Sequence, residues 1–182
     1  MMLNLLDAPA AAAVRLLLAA ALLIATATDL HRRRIPNLLT LPTTLLAIVL
    51  HGVYGGPAAA AASLLAMLGW FGLGFLYYRT LAGQEIGAGD IKLVMAISAC
   101  IGFVPAAYVT LLSLTLLLAW LFLRWLVQGT ARTNFAGLFR WLYVTAMPGT
   151  QKAHFRPVGM VDKTPHAPFL LLSALLGYLL IH

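Results

Sequence analysis

Residues 11–37 read AAAVRLLLAAALLIATATDLHRRRIPN. The apolar run from Ala11 to Thr28 has nearly the length of a membrane crossing, since roughly 20 apolar residues at 1.5 Å each span about 30 Å of hydrocarbon. It stops on Asp29, and His31 and the arginines Arg32, Arg33 and Arg34 follow. Ile35-Pro36 then breaks the helix, because a residue before proline avoids helical dihedrals. A hydrophobic helix that ends in a carboxylate and a block of cations is the motif from which the rest of the chain is read.

Five further apolar stretches follow: Leu38 to about Tyr54, Ala58 to Tyr78, Ile91 to about Val104, Pro105 to Val127, and Pro168 to Ile181. The chain is 62% hydrophobic and only 9% charged, with a mean hydropathy of +0.93. A soluble domain carries about 25% charged residues, so these values exclude an ordinary globular protein. The expectation is an all-α fold, one polytopic membrane domain over residues 1–182 with about six transmembrane helices. Pro42 is tolerated as a kink, and the short fourth and last stretches imply tilt or local thinning of the bilayer.

Charge placement orients the bundle. Arg32, Arg33, Arg34, Arg79, Lys92, Arg124, Arg132, Arg140, Lys152, Arg156 and Lys163 fall on one side, and of the 12 Lys and Arg residues only Arg15 falls toward the other. The positive-inside rule then puts both termini outside and the loops after the first, third and fifth stretches in the cytoplasm. Ala25-Thr26-Ala27 resembles a leader-cleavage site, but cleavage there would leave Arg32–Arg34 translocated, so the run is read as a span. The net charge of +7 belongs with anionic lipid headgroups; no basic-aromatic pattern of a nucleic-acid fold is present. The cytoplasmic loop 128–163 contains Phe135, Leu138, Phe139 and Leu142 on one helical face, followed by Pro148-Gly149. That segment is too short to span and reads as an interfacial helix or a buried loop helix. The single cysteine, Cys100, reads as a small core residue.

Of the five acidic residues, Asp7, Glu85 and Asp162 read as solvated charges. Asp29 and Asp90 lie where apolar helices meet the cytoplasmic face, and an ionisable group at that depth is a functional candidate. Asp90 follows Gly87-Ala88-Gly89, whose glycines allow a tight turn and close backbone approach. Each aspartate has a plainer reading, Asp90 as an N-cap and Asp29 as a counter-ion to its arginines. Together they have a chemistry: two nearby carboxylates share one proton, the ionised one activating water and the protonated one polarising a carbonyl. No zinc motif, Ser/His/Asp arrangement or phosphate loop competes, and the isolated His31 and His166 read as loop or interface residues. The alternatives from other classes are a proton- or cation-coupled transporter, which places its carboxylates near the midplane, and a non-catalytic subunit of a pilus or secretion platform.

At these residues the chain resembles the prepilin peptidases, the Gly-x-Gly-Asp aspartyl proteases of type IV pilus systems. The resemblance lies in Asp29 before Arg34-Ile35-Pro36-Asn37, in Gly87-Ala88-Gly89-Asp90-Ile91-Lys92-Leu93, and in Pro165-His166-Ala167-Pro168-Phe169. It implies a multi-pass protein of the bacterial inner membrane that cuts leaders from prepilin or pseudopilin precursors on the cytoplasmic side. It further implies Asp29 and Asp90 as the catalytic pair, Gly87 and Gly89 as the supporting turn, and Lys92 and Arg34 as candidate orienting residues. No metal or cofactor is expected. The cysteine-rich methylating segment of long members is missing, so the chain is similar to the short forms.

The charge asymmetry has a direct test. Cysteines introduced near Arg33, Arg79 and Lys152 are expected to react with an impermeant reagent only from the cytoplasmic side, and one near Gly56 only from outside. Reversed labelling would overturn the orientation.

Overall fold

In a computed structural model, residues 8–80, 88–146 and 165–181 are described. They form α1 (Ala8–Arg32), α2 (Asn37–Thr80), α3 (Ala88–Ile101), α4 (Phe103–Val127), α5 (Ala131–Ala146) and α6 (Ala167–Ile181). No strand occurs among them. Three helices, represented by Ala11–Arg32, Asn37–Leu76 and Phe103–Val127, are long and apolar enough to cross a membrane.

Side-chain size is distributed inside out relative to a soluble protein. The buried set is rich in Ala25, Ala47, Ala59, Ala66, Ala96 and Ala99 and in Ser63, Ser98 and Ser113, while Leu16, Leu45, Val53, Leu65 and Leu118 stand exposed. Lipid supplies no hydrophobic drive between helices, so close approach of small residues and interhelical hydrogen bonds hold them together. Accordingly, Ser63 Oγ donates to the Ala99 carbonyl at 2.7 Å and Ser98 Oγ to the Ala66 carbonyl at 3.3 Å, tying α2 to α3. Cys100 is buried beside Ala47 and Val14, as a small core residue should be.

Two element boundaries differ from those read in the sequence. The second and third apolar stretches are one hydrogen-bonded element, α2, interrupted only at Gly56, where φ is 77° and ψ −178°. That interruption is a sharp bend: a Cβ on Gly52 would lie 3.3 Å from the Cβ of Ala60, whereas eight residues of straight helix separate atoms by about 12 Å. Pro57 follows at a position where its missing N–H costs nothing. The fourth stretch ends at Gly102 (φ 97°) rather than near Val104, and Pro105 sits inside the first turn of α4, where no intrahelical donor is lost.

The chain divides into two compact units. Residues 1–114 and 165–182 form the first, whose core joins Leu22 and Ala25 of α1, Leu93 and Ile97 of α3, Ala106 of α4, and Ala167 and Leu170 of α6. In the second, residues 115–164, the loop helix is real but begins earlier than its apolar face suggested. Thr130 accepts from the Asn134 amide at 3.0 Å and starts it. Phe135 is turned onto α4, its ring 5.7 Å from Phe122 and 5.9 Å from Trp125, both edge-on. Pro148-Gly149 lies outside the described residues.

The Gly56 dihedrals fall in a region that is essentially restricted to glycine and costs other residues about 1–3 kcal/mol. Because a Cβ there meets nothing within 4 Å, Gly56→Ala is expected to destabilise by that backbone term alone. Gly72→Ala, in helical backbone with equally open surroundings, is expected to be neutral or to stabilise by roughly 0.5–1 kcal/mol. Thermal midpoints of the two variants in detergent check the difference.

Candidate active site

The end of α1 is built by local chemistry. His31 and Arg32 occupy its last turn, where cations suit the helix dipole. Arg33 takes a left-handed conformation (φ 51°) and its N–H closes the last turn on the Asp29 carbonyl at 2.9 Å. After Ile35, the Pro36 carbonyl accepts from the Leu39 amide at 3.0 Å and α2 begins. Asp29 is thereby held in the last turns of α1 with its side chain turned inward, only 6% exposed.

The Asp29 carboxylate has a partner far away in sequence. Its Oδ2 accepts the N–H of Ala167, the first residue of α6, at 3.0 Å. Asp90 lies in the first turn of α3, inside the helix rather than at its N-cap. Its Oδ1 is 4.0 Å from Nδ1 of His166, the residue immediately before Ala167. The two aspartates, from different helices, therefore stand against adjacent residues at the start of a third. Asp90 is 24% exposed, more open than Asp29.

The loop after Asp29 and the turn before Asp90 are clasped together. Lys92 Nζ donates to Asn37 Oδ1 at 2.8 Å. A Cβ on Gly89 would lie 3.2 Å from the Cβ of Ile35, with Ile35 backbone atoms close behind. Gly89 is helical and has no positive φ, so of the two uses read for the glycines, close approach is the one realised here. Gly87 lies outside the described residues, as do Asp7, Glu85 and Asp162. Lys92 contacts the Ile-Pro-Asn loop rather than an aspartate. Arg34 is exposed and lines, with Thr28, Arg32, Ile35, Pro36 and Asn37, an open cleft of about 460 Å³ beside the end of α1.

The model of the type IV leader peptidase family matches residues 16–127. The chain belongs to that family. The match takes in Asp29, Asn37, Gly89, Asp90 and Lys92, so both halves of the clasp lie within it. No curated protein and no solved structure matches the chain. Its third segment, His166 and Ala167, lies beyond the matched residues, yet supplies the partner of Asp29.

One reading of the sequence is corrected by the geometry. His166 is not an isolated loop histidine: besides facing Asp90, its Nε2 lies 3.2 Å from Ser113 Oγ of α4. A Ser113–His166–Asp90 line therefore exists, though no linear motif announces it. His31 remains exposed. Burial pushes the His166 imidazole below the ordinary histidine range, and the nearby Asp29 carboxylate partly opposes the shift. The signal that pointed to this segment was Pro165-His166-Ala167-Pro168; what it could not carry was which carboxylates it meets.

Because a Cβ on Gly89 would already lie 3.2 Å from the Cβ of Ile35, the larger side chain of Gly89→Val is expected to force the loop and α3 apart and to cost most of the activity. Ala88→Val, which already has a Cβ, is expected to be milder. Initial cleavage rates at matched membrane levels distinguish them, and equal near-wild-type rates would remove the role assigned to the close approach.

Proposed function

We propose that the chain is an aspartic endopeptidase that removes the leader from prepilin or pseudopilin precursors at the cytoplasmic face of the bacterial inner membrane. Asp29 and Asp90 act as its acid/base pair. The observation that carries this reading is the convergence of both carboxylates on the start of α6, in a chain of the type IV leader peptidase family.

In the proposed reaction one carboxylate is ionised and takes a proton from water as the water oxygen bonds to the scissile carbonyl carbon. The other is protonated and polarises the carbonyl oxygen. The C–N bond then breaks and a carboxyl proton passes to the departing amine. The open cleft lined by Thr28, Arg34 and Asn37 adjoins the end of α1 and gives an extended peptide a way in. Lys92 and Arg34 act on the loop that forms this wall.

Six crossings with both ends outside suit this reading. As a straight helix, the 44 residues of α2 would measure about 66 Å, twice the hydrocarbon thickness, and the bend at Gly56 supports counting them as two crossings. All three segments of the site then start or end on the cytoplasmic side. A transporter would place its carboxylates midway along the spans; here they belong to helix ends.

Asp29→Asn and Asp90→Asn each keep side-chain shape but remove one ionisable group. Each is expected to lower precursor processing by on the order of 100-fold or more while the protein remains inserted. The measurement is co-expression with the pilin precursor encoded nearest to this chain, scored by the mobility shift of the precursor. Substantial cleavage by either variant at normal levels would sink the assignment of the pair.

A further inference from the structure

We propose that His166 is the positioning residue of the aspartate pair: its imidazole, anchored by Ser113, holds Asp90 at the start of α6 and, on taking a proton from solvent, weakens the ionised carboxylate as a base. The inference rests on the peptidase reading above.

The geometry defines both sides of the ring. On one side Ser113 Oγ is 3.2 Å from Nε2. On the other, Asp90 Oδ1 is 4.0 Å from Nδ1, too long for a hydrogen bond but within strong electrostatic reach, and a distance that binding of substrate can shorten. A neutral ring with its proton on Nδ1 satisfies both neighbours: the Ser113 hydroxyl donates to Nε2, and Nδ1–H points at the Asp90 carboxylate. The order of atoms is that of a hydroxyl–imidazole–carboxylate relay. Ser113 is fully buried, so its hydroxyl is closed to a peptide carbonyl and serves as the anchor, not the nucleophile. The His166 side chain is itself only 15% exposed.

The charge state follows from what faces the ring. Asp29 faces it from α1, Asp90 from α3, while α4 contributes the uncharged Ser113. Burial lowers the tendency of the ring to protonate, and Asp29 raises it; the net shift is downward. The ring is therefore neutral above the ordinary histidine value of about 6.5 and becomes cationic at some pH below it. An imidazolium beside two carboxylates lowers their proton affinity, which weakens the carboxylate that must take a proton from water. Activity should consequently fall on the acid side as His166 protonates.

The test is the pH profile of the detergent-solubilised full chain acting on the purified pilin precursor encoded nearest to it. His166→Phe keeps a flat ring but neither donates nor titrates. It is expected to lower kcat about 100-fold with little change in KM, and to move the acid limb to lower pH. His166→Gln can still donate toward Asp90, so it should recover at least about tenfold of that loss without restoring the acid limb. Ser113→Ala, which removes only the anchor, should shift the midpoint of the limb even if the His166 variants fail to accumulate. Variants that cleave with the wild-type acid limb overturn the proposal while leaving the peptidase intact. No cleavage by the wild-type chain would overturn the peptidase reading beneath it.

Discussion

The hydrogen bond from the Ala167 amide to the Asp29 carboxylate closes the first unit of this molecule. The first amides of any helix lack intrahelical acceptors, and in hydrocarbon each orphan costs several kcal/mol. In α6 the account is nearly complete without outside help: Pro168 has no N–H, and the Phe169 and Leu170 amides both reach the His166 carbonyl, at 3.1 and 3.3 Å. Only Ala167 needs an acceptor from elsewhere. A buried carboxylate has the converse need for a donor. Joining the two satisfies both, and it fixes the last helix against the first across 138 residues of sequence.

Once α1 and α6 are joined at that end, the remaining helices are fitted by small residues. The Ser63 and Ser98 hydroxyls and the alanines around them let α2 and α3 approach closely, which brings Gly89 against Ile35. The same approach sets Lys92 beside Asn37. The two loops that carry the aspartates are thus held against each other by packing and by the Lys92–Asn37 bond. Both carboxylates stand against the start of α6.

Family membership and the site do not cover the same ground. The matched residues end at Val127, the last residue of α4, whereas the imidazole facing Asp90 and the donor to Asp29 come from residues 166 and 167. The site is therefore assembled from three stretches of chain, the last reached only after the second unit has intervened. A helix start used as a polar partner tolerates many side chains, because the backbone amide does the binding. The imidazole of His166 does not share that tolerance, since its contribution depends on two ring nitrogens with distinct neighbours.

Composition and periodicity were enough to establish an all-helical chain with membrane-length apolar helices, and the position of Asp29 and Asp90 at apolar helix ends was enough to single them out. These are local properties: the cost of a charge in hydrocarbon and the break imposed by Ile35-Pro36 depend on neighbours a few residues away. The bend at Gly56 and the stop at Gly102 were less legible, because a Gly-Gly-Pro run is compatible with either a loop or a turn within one helical element. What no local rule could supply was which ends meet. Ser113, His166 and Asp90 lie on three different segments, and their alignment follows from helix packing against small residues and from the unmet amide of Ala167. The sequence by itself determined which groups were costly to place in a membrane; tertiary structure alone decided which of them would relieve one another, because that relief acts across space between segments far apart in the chain.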